Sequence, residues 1–178
     1  MEIYVLLDSD NRLKASATTP IDEDGVIVVD VEDYDVFITP SMFIYENGQL
    51  IKDEQYELNM TKKEKDEELN NACYEAISNG FKLEVNGILY HFSFDVEAQF
   101  NYQGAERLLS RGIVESIDFT VFNPNGGYER IPVDSKLMDV LTLAILRHKD
   151  SNVKRYREVL LPIVQEAKTV EEVKAVTW

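Results

Sequence analysis

The spacing of hydrophobic residues in this 178-residue chain changes period part-way along it. Short apolar runs come first. Ile3 to Leu7 ends in Asp8-Ser9-Asp10-Asn11, a cluster of turn formers, and reads as a strand followed by a turn. Val26-Ile27-Val28-Val29 follows Asp24-Gly25 and is β-branched throughout, which predicts a second strand. Val36-Phe37-Ile38 predicts a third, ended by Thr39-Pro40. Asn47-Gly48 lies between Phe43-Ile44-Tyr45 and Leu50-Ile51 and predicts a hairpin, because both residues of such a turn need positive φ. A two-residue turn there pairs Tyr45 with Leu50 and Phe43 with Lys52. Residues 1–58 thus read as a small β-meander.

The period then becomes helical. Thr61 and Glu64 have capping-box spacing, which makes Thr61 the expected N-cap of a connecting helix over 59–79. Leu69, Ala72, Cys73, Ala76 and Ile77 form its apolar stripe, and Asn79-Gly80 supplies its stop. Lys62 to Glu68 are all charged and are expected in solvent. From 80 to 178 hairpins and helices mix. Phe81, Leu83 and Val85 alternate with polar residues up to Asn86-Gly87, and Ile88, Tyr90 and Phe92 alternate on the return. A two-residue turn pairs Val85 with Ile88, Leu83 with Tyr90 and Phe81 with Phe92, so register and burial agree. Gln99 to Leu109 predicts a short helix stopped at Arg111-Gly112, and Ile117, Phe119 and Val121 open a second hairpin that returns through Tyr128 and Ile131. After Pro132, Asp134 or Ser135 caps a helix whose inner face is Leu137, Val140, Leu141, Ala144 and Ile145. Ser151-Asn152 is expected to break it. A partner helix then carries Val153, Tyr156, Leu160, Val164 and Ala167, with Pro162 kinking or splitting it. A second capping box, Thr169 to Glu172, begins a last short helix. The predicted fold class is α+β: an acidic N-terminal β-meander, a linking helix, and a hairpin-plus-helices module ending in a helical hairpin.

Charge sharpens this division. The chain carries 18 Lys or Arg against 33 Asp or Glu, a net charge of −15. Residues 1–80 hold 19 acids and 6 bases, whereas residues 81–178 hold 14 and 12. Such a balance argues against a nucleic-acid partner, because phosphate binding needs clustered Lys and Arg. The single cysteine, Cys73, excludes an intrachain disulfide and a multi-cysteine zinc site. No apolar run approaches the ~20 residues that cross a bilayer, so no membrane insertion is expected. The opening residues lack the pattern of a signal peptide, and the expectation is a soluble, intracellularly made protein.

Candidate chemistry is sparse. Asp22, Glu23, Asp24, Asp30, Glu32, Asp33 and Asp35 form an acidic cluster that could hold calcium, but their spacing is not that of an EF-hand, so a solvated acidic face is the reading and no metal is assigned. His91 falls on the polar side of its hairpin beside Lys82, Glu84 and Ser93, but a catalytic His needs an orienting acid and a nucleophile, which spacing alone does not supply. His148 falls near a helix end, where it suits the dipole. Both are read as structural. Cys73 on the apolar stripe is read as a buried, inert thiol. No phosphate-binding glycine loop, His-Glu-x-x-His run or nucleophile elbow is present. No catalytic or cofactor-binding residue is therefore assigned, and no cofactor. Among the 17 Tyr and Phe, Tyr34, Tyr45, Tyr56, Tyr90, Tyr102 and Tyr128 lie in or beside hairpins, and Tyr45 and Tyr128 are the best placed for exposure at an interface.

Residues 86–109 (NGILYHFSFDVEAQFNYQGAERLL), 119–150 and 154–176 together resemble a domain of unassigned function in bacteriophage tail proteins. Gly80, Phe81, Asn86, Gly87, Tyr90, Phe92, Asp95, Gln99 and Asn101 match its pattern, while Phe119 and Phe122 stand in a strand that usually carries a tryptophan. The opening MEIYVLLDSDNRLKA and the hairpin FIYENGQLIKDEQYE resemble small tail proteins of phages of Gram-positive bacteria. The resemblance implies a non-enzymatic structural component of a tail tip, baseplate or fibre, assembled in the host cytoplasm and carried in the virion. Its partners would be other tail, baseplate or fibre proteins. The alternative it leaves open is an assembly factor for the fibre, absent from the finished particle. An enzyme acting on cell-wall polymer is a distant third, since it would need a carboxylate pair or metal in a cleft. A homo-oligomer would suit a tail's symmetry, although no heptad repeat is present to drive one.

Overall fold

A computed structural model describes residues 1–32 and 35–178. The fold is α+β, and the chain divides into two compact units. The first comprises Met1–Glu64 with Lys168–Val173, and the second Lys65–Ala167 with Lys174–Trp178.

In the first unit, β1 (Glu2–Leu7) is the centre of an antiparallel sheet, flanked by β2 (Leu13–Ala17) and β3 (Ile27–Asp30). Ile3 and Val5 point to the same side, as period two requires, and are fully buried with Leu13, Val29, Val36 and Phe43. The turn after β1 is built by Asp8, whose Oδ1 accepts from the Asp10 and Arg12 N–H groups at 2.9 Å each. β4 (Phe43–Glu46) and β5 (Gln49–Lys52) form the hairpin expected from Asn47-Gly48, with Tyr45 opposite Leu50 and Phe43 opposite Lys52. The turn residues take φ of 52° and 88°.

Val36-Phe37-Ile38 is not a strand. It forms a single helical turn, α1 (Asp35–Ile38), closed by the Thr39 N–H on the Asp35 carbonyl at 2.8 Å. Val36 is buried and Ile38 lies in solvent, whereas a strand would place both on one face. Ser16 on β2 donates to the Val36 carbonyl at 3.0 Å.

The helix expected over 59–79 is longer. α2 runs Glu54–Ser78, so Thr61 is not its N-cap. Asp53 is the residue at that end: its Oδ1 accepts from the Tyr56 N–H at 3.0 Å and its carbonyl from the Glu57 N–H at 3.1 Å. Thr61 instead bonds back to the Glu57 carbonyl at 2.9 Å, the usual recourse of a threonine inside a helix. The charged stretch 62–68 is not uniformly in solvent either. Lys65 is buried, with Nζ 2.7 Å from Glu68, and Asp66 accepts a hydrogen bond from the Tyr156 hydroxyl. The helix stops where expected, at Gly80, with φ of 90°.

In the second unit four antiparallel strands follow one another across a sheet: β6 (Phe81–Val85), β7 (Ile88–Phe92), β8 (Ser116–Phe122) and β9 (Tyr128–Asp134). The β6–β7 register is the predicted one at all three pairs. Between β7 and β8 comes α3 (Val96–Ser110), capped by Asp95, and after β9 comes α4 (Ser135–Lys154), capped by Asp134. Each cap accepts a backbone N–H at 2.8 Å. Phe81, Tyr90, Phe92, Val121, Ile131 and Val133 of the sheet form one core with Tyr102 and Leu109 of α3 and Met138 and Leu141 of α4. Val140, expected on the inner face of α4, is exposed; Met138 takes its place.

The expected helical hairpin turning at Ser151-Asn152 is absent. The chain stays helical from Ser135 to Glu166: α4 passes into a π-helical segment, Arg155–Leu160, and then α5 (Leu161–Glu166). Ser151 and Asn152 do not break it, because their side chains donate to the His148 carbonyl at 3.0 and 2.8 Å instead of recapping a new helix. Pro162 is accommodated by the wide turn before it, where the Leu161 N–H reaches the Tyr156 carbonyl five residues back. The last helix, α6 (Val170–Lys174), has the expected capping box: Glu172 N–H to Thr169 Oγ1 at 3.2 Å, answered by Thr169 N–H to Glu172 Oε2 at 3.3 Å.

Candidate functional site

The acidic residues of the first unit do not converge. Asp22, Glu23, Asp24, Asp30, Glu32 and Asp35 are exposed, and no group of three His, Cys, Asp or Glu placed to hold a metal occurs among the described residues. Asp33 and Tyr34 lie outside the described residues. Cys73 is buried, and burial pushes its thiol pKa up. Tyr45 is half-buried against the first unit's core, whereas Tyr128 is 78% exposed. Tyr56 lies under the Arg12 guanidinium at 3.9 Å, and Arg12 also holds Asp53 at 2.7 Å and the Ser41 carbonyl at 2.8 Å. That guanidinium, followed by the Tyr56 N–H, keeps the Asp53 carboxyl below its usual pKa.

Tyr90 and Tyr102 are core residues with satisfied hydroxyls. Tyr90 donates to Glu129, which also accepts from Asn123 Nδ2 at 2.8 Å; the Asn123 bond first, then that of Tyr90, hold the Glu129 carboxyl low. Tyr102 donates to the Ser93 carbonyl at 3.0 Å and stacks on Phe119 at 5.2 Å. His148 is not at a helix end. It sits inside the long helical run, with Nε2 3.1 Å from the Ile77 carbonyl and its ring 5.8 Å from Phe81. Its position brings it to the same cleft of about 640 Å3 as His91, Lys82 and Arg147, so the chain's two histidines share one surface with two cationic side chains.

Two further features belong to the four-stranded sheet. The first is its outer face. Lys82 is opposite His91, His91 opposite Phe122, and Phe122 opposite Tyr128, so one row crosses all four strands. Side chains on one row share a face, and here that face is the one away from the core. Phe122 is 42% exposed, and its ring meets that of Tyr128 edge-on at 5.7 Å.

The second is a groove. His91–Phe122 is the single register pair joining β7 to β8. Continuing it would set Ser93 opposite Thr120 and Asp95 opposite Asp118, but the chain leaves the sheet there. Phe94 turns into the core and Asp95 starts α3. A groove of about 560 Å3 opens between β8 and α3, floored by Tyr102 and Phe119 and bordered by Asp95, Glu97, Phe100 and Asp118. Gly104 keeps one helical turn of its wall bare, since a Cβ there would touch nothing within 4 Å.

The backbone of β8 in this groove has a definite polarity. Asn123 N–H bonds the Gly127 carbonyl at 2.8 Å, so odd-numbered residues of β8 exchange hydrogen bonds with β9. Pro132, opposite Asp118, has no N–H to give, which agrees with that parity. The even-numbered residues, Asp118 and Thr120, therefore direct their N–H and C=O groups toward the place β7 has vacated. Sequence reasoning missed the groove. The one signal was Asp95-Val96-Glu97-Ala98, a helix start directly after the alternating run that ends at Phe94.

These surfaces belong to an α+β module with a half-open sheet, built from the second unit. The chain belongs to the family described as Domain of unknown function (DUF4376), whose model matches residues 60–177. No curated protein and no solved structure matches it.

Proposed function

We propose that this protein is a non-enzymatic component of a bacteriophage tail tip, baseplate or fibre, acting through protein–protein contacts made by the outer face of its four-stranded sheet. The observation that carries the contact role is the row Lys82, His91, Phe122 and Tyr128, a cation and three flat rings on a face turned away from the core. Tyr and Phe are enriched at protein interfaces because a rigid ring gains contact area at little entropic cost. The resemblance of residues 86–109, 119–150 and 154–176 to phage tail domains supplies the context, and the net charge of −15 disfavours nucleic acid as partner. In this reading the protein is assembled in the host cytoplasm and stays in the virion. Peptide mass spectrometry of purified particles of the parent phage tests it. A fixed ratio to the major tail protein is expected. Absence from particles, with the protein plentiful in infected cells, would replace this reading with that of a fibre assembly factor.

A further inference from the structure

We propose that the groove between β8 and α3 is a strand-addition site that takes an extended, basic segment of a partner protein. The inference goes beyond the tail reading and stands on the groove alone.

Three observations carry it. First, Asp118 and Thr120 offer two N–H and two C=O groups at the spacing of an antiparallel ladder, facing an open channel where the sheet's own next strand has departed. An extended chain is the ligand that satisfies such an edge, because its own alternate residues carry the complementary groups. Second, the rim is anionic. Asp95, Glu97 and Asp118 border the groove and no Lys or Arg lines it; Arg130 approaches Asp118 from the outer face of the sheet at 3.9 Å. Lysine or arginine in the incoming segment complements that rim, and an acidic segment is repelled. Third, the floor is apolar: the stacked Tyr102 and Phe119 rings, with Ala98 and Ala105, sit below an exposed Phe100. Side chains of every second residue of an added strand would point onto that floor. The partner segment is thus an alternating one, apolar toward the floor and basic toward the rim.

The test is a titration of the full chain, labelled with nitrogen-15, with a capped pentapeptide of alternating lysine and valine. The amide signals of Asp118 and Thr120 are expected to shift and their hydrogen exchange to slow. Two further peptides, N-methylated at all valines or at all lysines, discriminate the mode of binding. A strand donates from alternate residues only, so one of them should bind about tenfold more weakly while the other is little changed. Equal effects, or none, overturn strand addition. A glutamate–valine peptide that binds as well as the lysine one overturns the basic partner. Gly104→Leu fills the bare turn of the wall in open space, keeps a helix-favouring residue there and should abolish the shifts without lowering the melting temperature. Protection of Asp118 and Thr120 that rises with protein concentration without peptide would assign the edge to a second copy of this chain and overturn the proposal. So would the absence of any shift at these two amides. Failure of the tail assignment is read separately, from particle composition.

Discussion

Gly80 sits where two constraints meet. Its φ of 90° is one that L side chains rarely adopt, and a Cβ built on it would lie 2.1 Å from the Phe92 carbonyl oxygen. Backbone, not a flexible side chain, blocks that space. Gly80→Ala must therefore pull α2 away from β7 or distort the turn between α2 and β6. It is expected to cost more than about 2 kcal/mol in urea unfolding. Gly87→Ala, with φ of 81° but nothing within 4 Å, should cost only about 1 kcal/mol. Equal costs would show that the close approach to Phe92 does not matter. Tyr156 gives a pH signature at the same scale. Burial, then its bond to Asp66 and that carboxylate's charge, push its pKa up to about 12, while Arg157 pulls the other way. A raised acid holds its proton longer when folded than when unfolded. Its stabilisation is thus complete below about pH 10 and is lost as pH climbs toward the folded value. Urea midpoints at about pH 9 and about pH 11 should differ less in Tyr156→Phe than in the parent. Tyr90 and Tyr102, shifted in the same direction, leave a residual slope in the variant.

At the level of elements, what could be read from sequence depended on whether the signal was local. The hairpins at Asn47-Gly48 and Asn86-Gly87 were legible to the residue, because a two-residue turn with both φ positive fixes every pair that follows. β2 was not, since Leu-Lys-Ala-Ser-Ala lacks β-branched residues and is held as a strand by its pairing with β1. The start of α2 was misread for an instructive reason. Thr61-x-x-Glu64 has the letters of a capping box, but Asp53 is a competing cap eight residues earlier, fastened by Arg12 from across the unit. Arg12 is distant in sequence, so no local pattern announces it. Two substitutions separate these readings. Asp53→Ala should destabilise by roughly 1–3 kcal/mol through loss of the cap and of the charged bond. Thr61→Ala should be neutral or slightly stabilising by thermal melting, because alanine is the better residue inside a helix. The opposite order would restore Thr61 as the cap.

For the whole molecule, the acidic charge was plain in composition, and so was the division into a β-rich first part and a mixed second part. Their boundary was less so. Residues 54–64 of α2 fall in the first unit and 65–78 in the second, while 168–173 return to the first. Helical periodicity runs through such a boundary unchanged, so nothing in the stripe Leu69 to Ile77 marks it. The surfaces were only partly legible. Tyr128 was foreseen as exposed because it adjoins a turn, but its place in a row with Lys82, His91 and Phe122 depends on how β7 meets β8, a pairing between residues thirty-one positions apart. The groove depends on where that pairing ends, which is a property of the sheet and of no single segment.

The π-helical turn at Arg155–Leu160 amounts to one spare residue. It lets Leu141, Tyr156 and Val164 all be buried along one continuous run, although Pro162 interrupts the hydrogen bonding. Removing the spare residue together with the proline, by deleting Val159 in a Pro162→Ala background, should return the turn to ordinary α geometry with every buried position still in phase. That variant is expected to melt within a few degrees of the parent, about 1 kcal/mol. Deleting the equally exposed Leu146 has no slack to draw on. It turns Met138 and Leu141 by about 100° relative to Tyr156 and Val164, and should cost roughly 3 kcal/mol or more. If the two deletions melt alike, the wide turn holds no spare length. If they differ, this helix tolerates a change of chain length at one address and nowhere near it, as expected of a helix that gained a residue by insertion and kept it.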